Sequence, residues 1–153
     1  ASLTSALTAF NPDAVNVDSE EDMYNAIVKL LGKFPVLVAW TMRTKKSKPL
    51  DYGDDSLNYV ENLHKMMFSK PNSEYKVDST IIEALDKLLI LHADHEQNCS
   101  TSTVRIVGSS HAGLFASISA GISALWGPLH GGANQAVIEM LEMIKLFILF
   151  ECQ

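Results

Sequence analysis

Helical periodicity runs through almost the whole of this chain and restricts its fold more than any other feature. Apolar side chains recur every three or four residues in each long segment, and no stretch of useful length shows the two-residue alternation of a half-buried strand. Of the 153 residues, 47% are hydrophobic and 20% are charged, which is enough apolar surface for one core. The sequence therefore predicts an all-α fold.

Start and stop signals place the first helices. Ser19 followed by Asp22 marks a helix start, because a hydroxyl can cap while an acid sits in the first turn. Gly32 offers a stop. Pro35 is then predicted to open a second helix that runs to about Arg43, since its missing N–H is not needed at a helix start.

Two further helices are predicted in the middle of the chain. The first is capped by Asp54 or Asp55 and ends by Pro71, and the next starts near Asp78 or Ser79. Each carries an apolar stripe that is expected to be buried. The stripes are, in chain order, Leu57, Val60, Leu63 and Met67, then Ile81, Leu85 and Leu88.

The second half of the chain predicts two more helices, after breaks at Asn98–Ser102 and Gly108–Gly113. Leu114–Trp126 has one bulky face and one face of small residues, which predicts burial on both sides. A last helix is predicted from about Ala133 to at least Ile144. Its inward-facing residues are expected to be Val137, Met140, Leu141 and Ile144.

Charge and composition exclude several kinds of function. The net charge of −6 argues against nucleic-acid binding, which needs clustered Lys and Arg. The one basic cluster, Arg43–Lys48, is interpreted as a solvated turn between helices. Cys99 and Cys152 are too few for a disulfide framework and fit free thiols in a reducing, cytoplasmic compartment. No secretory leader and no run of about 20 apolar residues is visible, so no membrane span is expected.

His130 is the first candidate for chemistry. It lies in the run Gly-Pro-Leu-His-Gly-Gly, where Gly131 and Gly132 leave space for a ligand to approach the backbone. The following helix begins with unpaired N–H groups and a positive dipole end, which favours a neutral imidazole. Such a ring can donate a hydrogen bond to a carbonyl that becomes an enolate. The alternative is a histidine that merely caps a turn.

His92 and His95 form a second candidate, three residues apart on one helix face. Burying an imidazole without a partner costs about 1–3 kcal/mol, so the protein or a ligand must supply hydrogen bonds. A metal site with Asp94 and Glu96 lacks a second group of ligands, and Cys99 is single, so no metal is predicted. His92 is interpreted as a satisfied core histidine, an interpretation that is weaker for His95.

The remaining histidines, His64 and His111, are interpreted as surface or packing residues. The chain has no GxxxxGK[ST], GxGxxG, GxSxG or CxxC motif, so the corresponding phosphate, dinucleotide, nucleophile and redox signatures are absent.

Two motifs carry a family resemblance. Asp94–Arg105 (DHEQNCSTSTVR) and Gly127–Asn134 (GPLHGGAN), with a small-residue helix between them, resemble citrate synthase. The likeness extends upstream to Tyr52–Phe68 and Leu88–His92, which resemble the bacterial type-II branch. The run Gln97-Asn98-Cys99-Ser100 favours citrate synthase proper over the related 2-methylcitrate synthases.

The resemblance implies a domain organisation. Residues 1–145 would form part of the large helical domain of the citrate synthase fold. Residues 146–153 would be an atypical tail that does not match the family.

The resemblance also implies an activity for the intact protein. It would be a citrate (Si)-synthase, an acyltransferase of the tricarboxylic acid cycle that condenses acetyl-CoA with oxaloacetate and water to citrate and CoA. His130 would hydrogen-bond the thioester carbonyl and stabilise the enol, His95 would bind oxaloacetate, and Asn98 would help to line that pocket. Acetyl-CoA is a substrate, so no cofactor and no metal are expected. The intact protein would be a homodimer or a higher homo-oligomer.

The family's other catalytic parts lie further along the chain than this sequence extends. They are the aspartate base, a second histidine and the arginines that hold oxaloacetate. Loss of a general base alone typically costs about 10²–10⁴ in rate, so this chain alone is predicted to be inactive. The alternative is a non-catalytic helical interaction module, which would pair with a like chain through the small-residue helix and the apolar tail.

Overall fold

The structure is a computed structural model of the chain, and it describes residues 1–93 and 96–151, with side chains described except at 13 and 146–151. Within these ranges every regular element is helical, which confirms the predicted all-α fold. Two 3-10 segments, Leu7–Phe10 and Pro12–Val15, follow the first short helix. The α-helices are α1 (Ser2–Ala6), α2 (Glu20–Lys45), α3 (Tyr59–Phe68), α4 (Ser79–Ala93), α5 (Cys99–Gly108), α6 (Leu114–Leu125) and α7 (Gly132–Glu151).

The longest described helix, α2, begins as predicted but does not break where predicted. The Ser19 side chain accepts a hydrogen bond of 3.2 Å from the Asp22 N–H. The helix then continues past Gly32 and through Pro35, so the predicted division into two helices is wrong. Pro35 has no N–H to donate to the Leu31 carbonyl. The Tyr59 hydroxyl of α3 donates to that carbonyl instead, at 3.2 Å.

By length and composition alone, α2 is apolar enough to cross a membrane, although the sequence predicted no such segment. The core helix of a soluble protein meets the same criterion, so this is weak support for a membrane span. The helix also packs against α1, α3 and α6. Its buried Arg43 hydrogen-bonds neighbouring segments of the chain. These contacts favour a helix of a folded domain.

Arg43 corrects the interpretation of Arg43–Lys48 as a solvated turn. Its side chain is only 2% exposed. The guanidinium donates to the carbonyl oxygens of Pro49, Met66 and Ser69, and to the Ser69 hydroxyl. Only the part of the cluster that follows Lys45 forms the exposed turn. Arg43 thereby joins α2 to the end of α3.

The third helix starts later than predicted. Its cap is Asn58, whose side chain accepts from the Glu61 N–H at 2.9 Å, and neither Asp54 nor Asp55 caps it. The Asp54 carboxylate instead accepts from the Ser56 N–H within the preceding loop. The residues that α3 buries are Val60 and Met66.

The predicted start of α4 is confirmed, but its predicted burial is wrong. The Asp78 carboxylate accepts from the Thr80 N–H at 2.9 Å, and the helix begins at Ser79. Ile81 and Leu88 are 50% and 52% exposed. The same correction applies to α7, which packs against no other described element. Its exposed apolar residues include Val137, Met140, Leu141 and Ile144.

The core lies where α6 meets α5 and the N-terminal segments. Phe115 is 1% exposed and packs with Ala14 and Ala26. On the small face, a Cβ added at Gly121 would lie 2.6 Å from Val104 of α5, so the two helices approach closely. Burial on two sides is confirmed for the middle of α6, whereas Leu125 near its end is 46% exposed. The predicted break at Asn98–Ser102 is wrong except at Asn98, because the other four residues form the first turn of α5, which begins at Cys99.

Candidate functional site

A cavity of about 500 Å³ is lined by residues from the end of α4, the start of α5, the end of α6 and the turn into α7. Two predicted site residues, His130 and Asn98, both line it. The complete lining is Leu88, Leu91, His92, Asn98, Ser100, Leu125, His130, Ala133 and Asn134. The cavity is therefore apolar at its α4 wall and polar where the two candidate motifs meet.

Asn98 is held in place by its own helix. As the N-cap of α5, its side-chain oxygen accepts from the Thr101 N–H at 2.9 Å. The Ser100 hydroxyl also contacts that oxygen, at 2.7 Å. Asparagine is a preferred N-cap because this bond satisfies an N–H that has no partner within the helix. The cap leaves the Asn98 amide nitrogen free of any described partner.

His130 is joined to the start of α5 through Ser100. Its Nε2 atom lies 2.9 Å from the Ser100 hydroxyl oxygen and accepts from the Ser100 N–H at 3.4 Å. Ser100 is the second residue of α5, so its N–H is one of the groups that the helix leaves unpaired. The imidazole ring thus supplies the partner that the helix lacks.

The Ser100 contact determines which ring nitrogen of His130 faces a ligand. A backbone N–H can only donate, so Nε2 must act as an acceptor in this contact. A neutral ring then carries its proton on Nδ1. Since Nδ1 has no partner among the described residues, it is free to donate to a carbonyl oxygen in the cavity.

A tight turn sets the position of His130. The backbone N–H groups of His130 and Gly131 both donate to the Gly127 carbonyl, at 3.0 and 2.9 Å. A Cβ added at Gly131 would lie 2.1 Å from the Leu125 carbonyl oxygen, so only glycine fits there. At Gly132 the nearest atom is 3.9 Å away, an ordinary contact. Of the two glycines, the structure therefore requires the first.

His92 corrects the prediction of a core histidine. Its side chain is exposed and lines the cavity. The Nδ1 atom lies 2.7 Å from the Leu88 carbonyl, which can only accept, so Nδ1 is the donor. In the neutral ring this leaves Nε2 as an acceptor.

Three of the residues discussed from the sequence, Asp94, His95 and Cys152, lie outside the described residues. The oxaloacetate-binding role of His95 accordingly stays a prediction. Cys99 is an exposed free thiol at the first position of α5. Among the described residues, no three His, Cys, Asp or Glu side chains are grouped to hold a metal ion.

Ser100 is the site residue that the sequence interpretation missed. A usable signal was present, because a hydroxyl two residues after an Asn cap lies where helix N–H groups are unpaired. The packing interpretation of His64 is confirmed by its ring contacts with Phe68 and Tyr75, at centroid distances of 4.7 and 6.0 Å. His111 is at the surface, 3.6 Å from the Asp18 carboxylate.

Comparisons with known proteins agree with this geometry. The family model described as citrate synthase, C-terminal domain, matches residues 1–146. Citrate synthase from Corynebacterium glutamicum is 54% identical over 145 residues, which is 95% of this chain and 33% of the relative. Citrate synthase 1 from Mycobacterium tuberculosis is 51% identical over 144 residues, 94% of this chain and 33% of the relative.

Solved structures show the same likeness. The crystal structure of citrate synthase from Pyrobaculum aerophilum matches with a TM-score of 0.73 and 36% identity, over 84% of this chain and 30% of that one. The structure of citrate synthase from Thermotoga maritima matches with a TM-score of 0.67 and 32% identity, over 85% and 34%.

The fold and the site define a class of helical protein. In this class, a cavity lies between the capped start of one helix and a histidine that two glycines follow. The chain belongs to the citrate synthase family. It spans about a third of the length of the curated relatives that it matches.

Proposed function

We propose that the intact protein condenses acetyl-CoA with oxaloacetate and water to citrate and CoA, and that this chain supplies part of its active site. The observation that carries the proposal is the position of His130, held at a cavity by Ser100 with Nδ1 free. Family membership supports the reaction class. The proposed catalytic residue is His130, and the proposed oxaloacetate-binding residues are His95 and Asn98.

The proposed role of His130 follows from where charge develops in the reaction. When a base removes a methyl proton of acetyl-CoA, negative charge builds on the thioester oxygen. A donor that already points at that oxygen stabilises the charge without reorganisation. The enol carbon then attacks the ketone carbon of oxaloacetate to form the C–C bond, and water cleaves the C–S bond to release CoA.

The base and the charged groups that bind carboxylates are expected from outside this cavity wall. None of the described residues that line the cavity is an aspartate, a glutamate, a lysine or an arginine. Carboxylates of a substrate usually require arginine pairs for tight, oriented binding. We therefore propose that this chain alone does not turn over acetyl-CoA. Because acetyl-CoA is a substrate, we propose that the intact protein uses no cofactor and no metal.

A chimeric enzyme tests the proposal. Residues 1–145 replace the matching segment of the Corynebacterium glutamicum citrate synthase, and CoA release is followed with a thiol reagent. The chimera is expected to be active. His130→Ala should lower its kcat by about 10²–10³, as the loss of one oxyanion donor does. His111→Ala removes an exposed histidine beside Asp18 and should leave kcat unchanged.

Two results would count against the proposal. An inactive but folded chimera would show that these residues cannot serve a citrate synthase site. Turnover by the purified 153-residue chain would contradict the proposed inactivity of the chain alone.

The exposed apolar faces of α4 and α7 favour a second candidate, a non-catalytic interaction module. Exposed patches of this kind usually mark interaction surfaces. The same faces support a homodimer or a higher homo-oligomer for the intact protein. Sedimentation of the chain measures self-association, and the chimera separates the two candidates, because a purely non-catalytic module should not support CoA release.

A further inference from the structure

The first turn of α7 carries a polar side chain that the proposed reaction has not used. Asn134 is four residues after His130, and both line the same cavity. It makes no hydrogen bond or ion pair with any described residue. Its carboxamide therefore has a donor and an acceptor available on the cavity wall.

The other polar groups of that wall are largely committed. The Asn98 oxygen accepts from the Thr101 N–H and contacts the Ser100 hydroxyl. His92 donates through Nδ1 to the Leu88 carbonyl. Among the described lining residues, Asn134 is thus the amide whose whole hydrogen-bonding capacity remains open.

The turn before α7 positions the start of the helix that carries Asn134. The Gly127 carbonyl accepts from two consecutive N–H groups, and Gly131 packs against the backbone at the end of α6. The helix that carries Asn134 starts at once after this turn, at Gly132. A turn that fixes His130 therefore also fixes the start of the helix that carries Asn134.

We propose that Asn134 is a substrate-binding residue whose amide N–H donates to a carboxylate oxygen of the keto dicarboxylate. This inference rests on the proposed function and deepens it. A dianionic substrate beside His130 requires donors, and the free amide of Asn134 is a neutral donor that costs less to desolvate than a charged one. A site built to hydrogen-bond its substrate loses affinity when one partner is removed.

Titration of the purified full chain with oxaloacetate tests the inference, with the backbone amide signals of Ser100 and Thr101 in NMR spectra as the readout. Asn134→Leu keeps a similar volume and removes the donor, and it should weaken binding several-fold. Asn134→Asp adds a charge that repels the carboxylate, and it should weaken binding at least tenfold. Asn25→Asp makes the same change on the exposed surface of α2 and should leave binding unchanged.

The affinities of the variants distinguish a failure of the Asn134 role from a failure of the proposed function. If wild-type chain and His130→Ala differ in affinity while both Asn134 variants bind like wild type, this inference is wrong and the proposed function stands. If the folded wild-type chain does not bind oxaloacetate, this inference fails, whereas the proposed function is decided by CoA release from the chimera. Circular dichroism establishes that each variant is folded. Pyruvate, with one carboxylate, should lose less affinity than oxaloacetate in Asn134→Asp.

Discussion

The Tyr59 hydroxyl donates a hydrogen bond of 3.2 Å to the Leu31 carbonyl oxygen, the one backbone acceptor of α2 that Pro35 leaves without its usual donor. A proline in a helix interior normally breaks or kinks the helix, at a cost of about 3 kcal/mol or more. A side chain from α3 thus replaces part of what the proline removes. The pair also links α3 to the middle of α2.

Tyr59→Phe is expected to destabilise the chain by about 0.5–1.5 kcal/mol, because the Leu31 carbonyl loses its partner. Urea unfolding monitored by circular dichroism measures the change. Tyr24→Phe is the matched control, since Tyr24 is an exposed residue of α2 without a hydrogen bond to any described residue.

A double-mutant cycle makes the assignment specific. In a Pro35→Ala background, residue 35 has an N–H that can reach the Leu31 carbonyl, so Tyr59→Phe should then cost less. An equal cost in both backgrounds would show that Tyr59 stabilises the chain by another route.

The continuation of α2 through Pro35 could not be predicted from neighbouring residues. From neighbouring residues alone, a proline three positions after Gly32 predicts a helix boundary. The side chain that supplies the missing donor, Tyr59, lies 28 residues beyond Leu31. By contrast, the Ser19 cap and the start of α4 at Ser79 depend on adjacent residues, and both were predictable.

The candidate site also has features that neighbouring residues predict and features that only the fold determines. The motifs around Asn98 and His130 were visible because their residue types and glycines are local signals. The contact between His130 and Ser100 joins residues 30 positions apart, and only the fold brings them together. Burial of Arg43 was also hidden, because its acceptors are mostly backbone carbonyls, which carry no side-chain signal.

Replacing Arg43 is expected to be among the most destabilising single changes in the chain. Arg43→Met should cost at least about 3 kcal/mol, because several buried acceptors lose a charged donor at once. Arg43→Lys should recover little, since an ammonium cannot reach the same fork of acceptors. Lys45→Met changes an exposed residue two positions further along α2, and it is the control in the same denaturation assay. A cost for Arg43→Met within the range of Lys45→Met would contradict this account.

Asp51 gives the chain a defined response to acid. Burial acts to raise the pKa of its carboxyl, but hydrogen bonds from Ser69, Gly53 and Lys65 outweigh burial, and the pKa is lowered. Lys65 Nζ lies 3.0 Å from the carboxylate. A lowered folded-state pKa means that the unfolded chain binds the proton more readily. The stabilisation is therefore present above the unfolded pKa of about 3.9 and is lost as the pH falls through the folded pKa.

Asp51→Asn should lower the urea midpoint near neutral pH, and the gap to wild type should close as the pH falls below the unfolded pKa and through the folded one. Asp55→Asn is the control, because that exposed carboxylate contacts no described partner. A gap that stays constant across the pH series would show that the effect of residue 51 is not electrostatic.

The two glycines after His130 allow a comparison that connects the fold to the site. A Cβ at position 131 would overlap the Leu125 carbonyl at 2.1 Å, whereas at position 132 the nearest neighbour is Pro128 Cβ at 3.9 Å. Gly131→Ala must therefore displace the turn that carries His130, and an overpacked site of this kind typically costs about 1–3 kcal/mol. Gly132→Ala should be neutral or slightly stabilising, because alanine has less freedom to lose and Gly132 lies at a helix start. Urea unfolding gives the stabilities, and the His130 ring signals report whether the contact with Ser100 persists. Equal behaviour of the two variants would mean that the close approach of Gly131 to α6 does not hold His130 in place.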